Sequence, residues 1–271
     1  MTLRPVEGTL PLTENCHHYD DVSEVPWELQ KYWHQRYSIF NFYDYDIRLT
    51  DDAWFGVTPE PVATKVAKDI PSHKHSNPPK NTIVDMFAGA GGNTIAFALS
   101  EKWDRVIGIE KDAATLACAQ HNAAVYGVAD AITWIHGDSL DFLARLKGEG
   151  NDAKATGKEG KGQKKGRGKG KGLDPSLRLD LSRTVLFASP PWGGVSYRDQ
   201  DVFDLSTMEP YNLETLHEAC RPMEHALYLP RTSDLRQIAE LVPDGTDKKV
   251  EVVQYCMEGA SKALVAYVPT E

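Results

Sequence analysis

The sequence has little of what stabilises a small secreted domain or holds a chain in a membrane. Its 271 residues include only four cysteines, Cys16, Cys118, Cys220 and Cys256, far apart and in no paired spacing. Neither a disulfide framework nor a zinc site is expected, and a reducing compartment is. His17, His18, His73 and His75 fall in loops without Cys or clustered acids, so no metal is expected either. No stretch approaches the roughly 18 uninterrupted apolar residues of a membrane helix. The start carries Glu7, Glu14, Asp20, Asp21 and Glu24 in place of a basic, apolar leader. A soluble intracellular chain without a membrane partner is therefore expected. Two nucleotide signatures are also missing: no glycine loop runs into Gly-Lys-Ser/Thr, and none has the dinucleotide spacing G-x-G-x-x-G.

What is present is a series of short apolar runs that each end in chemistry. Thr184 to Ala188 reads as a buried parallel strand, stopped by Ser189-Pro190-Pro191-Trp192-Gly193-Gly194 because proline cannot join a ladder. Ligands of open α/β sheets bind at the carboxyl ends of the strands. An aromatic fixed there by two prolines forms one wall of a slot. A second run, Ile83-Val84-Asp85, enters the loop Met86-Phe87-Ala88-Gly89-Ala90-Gly91-Gly92-Asn93-Thr94 and then a helical stretch. An acid facing a glycine loop repels a pyrophosphate and pairs with an ammonium, which the methionyl part of S-adenosylmethionine offers. Ala88, Gly89, Gly91 and Asn93 are the loop residues expected against that cofactor. Arg105 to Glu110 ends in a carboxylate about 20 residues beyond the loop, where an acid holds ribose hydroxyls. Ile132 to Ile135 is followed by Asp138, placed to accept from an adenine amine. Three acids at successive strand ends, with Ser189 beyond them, form a methyltransferase-type site.

The alternation of strand and helix implies a mostly parallel sheet. Residues 1–25 are acidic, poorly patterned and expected to be loosely ordered. Residues 26–80 read as a helical extension: a helix over Trp27 to Tyr37, then Thr58 as cap and Pro59 at the first position of a second helix. Residues 81–271 read as the core, closed by two strands, Val250 to Tyr255 and Lys262 to Val268, around Gly259. The formal net charge is −9, but 147–172 carries nine Lys or Arg and three acids. This Lys/Gly stretch has almost nothing apolar to bury and is expected to be a disordered insertion, either solubilising or a basic arm for an RNA backbone.

Lys31-Tyr32-Trp33-His34-Gln35-Arg36-Tyr37, Trp54-Phe55-Gly56-Val57-Thr58-Pro59-Glu60, the glycine loop, Asn122-Ala123-Ala124-Val125-Tyr126-Gly127, Ser189-Pro190-Pro191-Trp192-Gly193-Gly194 and Leu229-Pro230-Arg231 form a set of motifs spread along the chain. In that set the chain resembles the trimethylguanosine synthase family of RNA cap guanine-N2 methyltransferases. The family more often has Ser at Gly56, Asp at Glu110 and Pro-Asp at Val195-Ser196. The resemblance implies a class I methyltransferase fold, Rossmann-like, with a seven-stranded sheet and a terminal antiparallel hairpin. It implies methyl transfer from S-adenosylmethionine to the N2 amine of a 7-methylguanosine cap, on small nuclear and nucleolar RNAs in the nucleus. Trp192 would stack on the methylated guanine, with Asn122 near it. Lys31, Tyr197 and Arg231 would contact the cap phosphates, while Phe40, Thr58 and Pro59 close over the cofactor. The Ser189 hydroxyl and Pro190 carbonyl would accept the amine hydrogens. The rival readings are another amino-methyltransferase, acting on adenine N6 or ribosomal guanine N2, and a cap-binding protein without catalysis.

Overall fold

Each apolar run becomes a strand of one sheet in the computed structural model, which describes residues 2–70, 78–155, 172–193, 200–242 and 247–269, the side chains of 149–155 excepted. The strands are β1 (Thr82–Asp85), β2 (Arg105–Glu110), β3 (Ile132–His136), β4 (Thr184–Ala188), β5 (Glu224–Leu229), β6 (Glu251–Met257) and β7 (Ala260–Val268). Among the described residues their order is β3-β2-β1-β4-β5-β7-β6. The first five are parallel, and β7 runs antiparallel between β5 and β6. This is the expected class I methyltransferase topology with its terminal hairpin.

Burial on both faces explains why the central strands read as continuous apolar runs. Ile83, Val106 and Val185 point into one core layer, with Leu116 and Ala119 of α6 (Ala113–Val125). Their neighbours Val84, Ile107 and Leu186 point into the other, with Phe142 and Leu146 of α7 (Ser139–Ala155) and Leu216 of α8 (Leu213–Cys220). Gly108 is required by close approach: a Cβ there would lie 2.6 Å from the Trp134 ring and 3.1 Å from Thr94.

The amino-terminal residues differ from expectation. Residues 2–25 are docked on the core, because backbone groups and buried side chains supply what their composition does not advertise. The Val6 amide donates to the Trp134 carbonyl at 2.9 Å, occupying part of the outer edge of β3. Leu3 bridges to Leu173, and Gln120 of α6 exchanges hydrogen bonds with the Leu10 amide and the Gly8 carbonyl. Cys16 is buried against Ala117 and Cys118.

The helix expected over Trp27 to Tyr37 is two short ones, α1 (Gln30–Trp33) and α2 (Arg36–Ile39), broken at His34–Gln35. The break lets Arg36 fold back, its guanidinium carbon 3.7 Å from the Trp33 ring centroid. Trp33, Tyr43 and Trp54 join Tyr19 in an aromatic cluster continuous with the first core layer. Past α3 (Ala53–Gly56), the cap of α4 (Glu60–Asp69) is Pro59, not Thr58, whose hydroxyl is used elsewhere. Lys102 Nζ donates to the carbonyls of Ala67, Lys68 and Ile70, satisfying the open end of α4. Part of the stretch expected to be a disordered insertion, residues 147–155, is helical. Helix α7 carries through Lys147 to Ala155, and 156–171 lies outside the described residues. No helix among the described residues is long and apolar enough to cross a membrane.

Candidate active site

The strand order reverses between β1 and β4: the chain steps outward from β1 to β3, then returns to pair β4 with β1. Such a switch point opens a crevice at the carboxyl edge. Asp85 and Phe187 are register partners there, so the glycine loop and Ser189 rise side by side. Ser189 is half-buried, Pro190 is buried, and Trp192 follows. The indole N–H of Trp192 donates to the Tyr228 carbonyl at 3.3 Å, and its ring lies 6.0 Å from that of Tyr228, 12° from parallel. The wall is thus fixed by β5 as well as by the prolines.

The three acids converge on this edge. Glu110 organises the loop: one carboxylate oxygen accepts from the Gly89 amide at 2.9 Å, the other from the amides of Lys111 and Asp112. The Ala88 amide is tied to the Ile109 carbonyl, and Gly91 adopts a φ of 97° that opens α5 (Gly92–Leu99). A side chain at Gly91 is strained by that angle. Asp138 accepts from the Tyr211 hydroxyl at 2.8 Å, from Lys111 Nζ at 3.3 Å and from the amides of Leu140 and Asp141. Partial burial alone would raise its pKa, but these donors outweigh burial and hold it below the ordinary carboxylate value. Tyr211 and Lys111 escaped the sequence reading. Lys111 was visible as the neighbour of Glu110, whereas Tyr211 lies 73 residues from Asp138 with no local signal.

Asp85, expected to face the glycine loop, is fully buried, one oxygen accepting from the Thr94 hydroxyl at 2.6 Å and the other from the Phe87 amide. It acts from beneath the loop. Burial, with a smaller contribution from the charge of Glu110, pushes its pKa up to about 7 against the donation from Thr94 and Phe87.

The amino-terminal extension reaches the loop directly. Asn93 Nδ2 donates to Thr58 Oγ1 at 2.9 Å, and a Cβ on Gly92 would stand 3.3 Å from the Thr58 carbonyl. Asn93 Oδ1 is buried and finds no donor among the described residues. Phe40 is enclosed behind α5, on the wall of a small hollow shared with Gly92, Ile95 and Tyr126. Pro59 borders Thr58 at the start of α4.

Asn122 requires a correction. It is fully buried, accepts from the Arg48 amide and donates to the carbonyls of Arg48 and Ala90, all within 2.9 Å. With its amide thus consumed, it clamps the extension to the glycine loop and does not face a purine. Lys31 and Arg231 are exposed, and Tyr197 lies outside the described residues.

A protein-family profile described as RNA cap guanine-N2 methyltransferase matches residues 80–271. The trimethylguanosine synthase of Schizosaccharomyces pombe is 33% identical over 246 residues, covering 90% of this chain and 87% of that one. The trimethylguanosine synthase of Saccharomyces cerevisiae is 31% identical over 216 residues, 78% of this chain and 58% of its own. Among solved structures, a putative methyltransferase from Porphyromonas gingivalis aligns over 91% of this chain and 51% of its own. Its TM-score is 0.58 at 15% identity, a likeness of fold.

Proposed function

The chain belongs to the RNA cap guanine-N2 methyltransferase family, and from that premise we propose that it methylates the exocyclic N2 amine of a 7-methylguanosine cap. Two transfers give the 2,2,7-trimethylguanosine cap. The observation that carries the reading is the meeting, at one switch point, of three strand-end acids with Ser189-Pro190-Pro191-Trp192.

The residues fit S-adenosylmethionine as donor. Asn93 Oδ1 is a buried acceptor lacking a donor among the described residues, which costs roughly 1–3 kcal/mol until a ligand N–H or O–H supplies one. Asp85 braces the loop from beneath, through the Thr94 hydroxyl and the Phe87 amide. Glu110 would hold the ribose, Asp138 the adenine amine, and Ala88, Gly89 and Gly91 the loop backbone. Phe40, Thr58 and Pro59 would close the extension over the cofactor. The donor contributes an electrophilic methyl group on a sulfonium.

This chain's residues do the rest. The guanine N2 lone pair is delocalised into the ring, so positioning must supply much of the acceleration. The Ser189 hydroxyl and Pro190 carbonyl accept the amine hydrogens, fixing its direction and drawing off positive charge as the bond forms. Trp192 offers its ring to a purine made cationic by the 7-methyl group, an attraction of about 2 kcal/mol or more when desolvated. Lys31, Tyr197 and Arg231 take the cap phosphates. The substrates are small nuclear and nucleolar RNAs met in the nucleus, with the basic 156–171 segment holding their backbone.

The test is to incubate the protein with S-adenosylmethionine and 7-methylguanosine triphosphate, then read product masses. Products heavier by one and two methyl groups, both on N2, are expected. Label on adenine, or on unmethylated guanosine triphosphate equally well, would contradict the reading.

A further inference from the structure

Scattered exposed aromatics are ordinary, but an aromatic pair joined to a cation beside a nucleic-acid site is informative. Phe55 of α3 is 43% exposed, and its ring meets that of Tyr32 in α1 edge to face, centroids 5.4 Å apart and planes at 81°. Lys31 Nζ lies 4.9 Å from the Tyr32 ring centroid. Three residues beyond Phe55 the chain reaches Thr58, which is hydrogen-bonded to Asn93 in the first turn of α5. Phe55 and that contact with the glycine loop thus sit on one short segment, residues 53–58.

Another exposed pair serves as a contrast. Phe42 and Tyr45, 5.7 Å apart, stand beside Asp44 and Asp46, whose charge repels a phosphodiester. The Tyr32–Phe55 pair instead carries a cation, Lys31, of the sign that attracts a phosphate.

We propose that Phe55, edge-packed by Tyr32 and flanked by Lys31, stacks the first RNA nucleotide after the cap, so that the enzyme reads capped RNA beyond the cap nucleotide itself. This rests on the cap-methyltransferase reading above. Stacking on an aromatic side chain is tolerant of base identity, which suits an enzyme serving RNAs of different sequence.

The test compares KM for 7-methylguanosine triphosphate with KM for a short capped RNA, in the full chain. In Phe55→Ala the ratio of the RNA value to the mononucleotide value should rise about fivefold or more, and Phe55→Trp should restore it. A capped RNA with an abasic first nucleotide should show the same rise with the wild-type protein, independently of any folding effect. An unchanged ratio, an equal loss on both substrates, or indifference to the abasic nucleotide would overturn the proposal while leaving the cap reaction intact. A wild-type protein that methylates neither substrate would overturn both.

Discussion

Asp85 shows how one side chain can be found in sequence and still be misplaced. An acid closing an apolar strand before glycines is legible, because such a residue must sit at the carboxyl edge of the sheet. That it lies under the loop, bonded to Thr94, is not, since the burial depends on how α5 packs back onto β1. Asn122 failed for the same reason. A helical amide looks identical whether it faces a ligand or, as here, backbone 74 residues away. The burial of Asp85 has a measurable consequence. Its folded pKa of about 7 lies above the ordinary carboxylate value, so its protonated form is the one folding favours. The stability it contributes is complete below about pH 4 and is lost as pH rises through about 7. Without ligand, the stability of the wild type relative to Asp85→Asn should therefore fall between pH 5 and pH 8, measured by chemical denaturation. A pH-independent difference would contradict this.

Helix α6 is the element that joins the two parts of the chain. Its Gln120 holds residues 8–10, its His121 and Asn122 hold residues 46–48, and Asn122 also holds Ala90 of the glycine loop. Replacing Asn122 by Ala strands buried backbone groups, at roughly 1–3 kcal/mol. A drop in Tm of about 2–10 °C is expected, accompanied by weaker binding of S-adenosylhomocysteine because the loop loses its brace. A Tm and an affinity equal to those of the wild type would show that the clamp is idle. Elements whose boundaries follow from continuous burial, such as β2 and β4, coincide with their apolar runs. Those set by tertiary contacts do not: the helix predicted across Trp27 to Tyr37 breaks so that Arg36 can cover Trp33.

Over the whole molecule, the sheet was legible from the repeated run-then-acid pattern, and the docking of residues 2–25 was not. Contacts such as Val6 to Trp134 join backbone to backbone and leave no trace in composition. Charge is distributed as unevenly as contacts. With a formal net charge of −9, the protein repels RNA except where cations are concentrated. The 156–171 segment lies in sequence between α7 and Gly172, whose carbonyl accepts from Arg145 and the Leu3 amide. Replacing it with a short neutral linker should flatten the slope of log affinity for capped RNA against log salt while turnover of 7-methylguanosine triphosphate persists. An unchanged slope would remove the segment from RNA binding. Beneath all of this lies the claim that a rigid indole at the switch point selects a cationic purine. The most direct measurement is kcat/KM for 7-methylguanosine triphosphate over that for guanosine triphosphate, in the wild type and in Trp192→Ala. The account predicts a wild-type preference of roughly 30-fold or more, from about 2 kcal/mol, that largely disappears in the variant. Equal efficiency on the two nucleotides in the wild type, or a preference that survives loss of the indole, would contradict it.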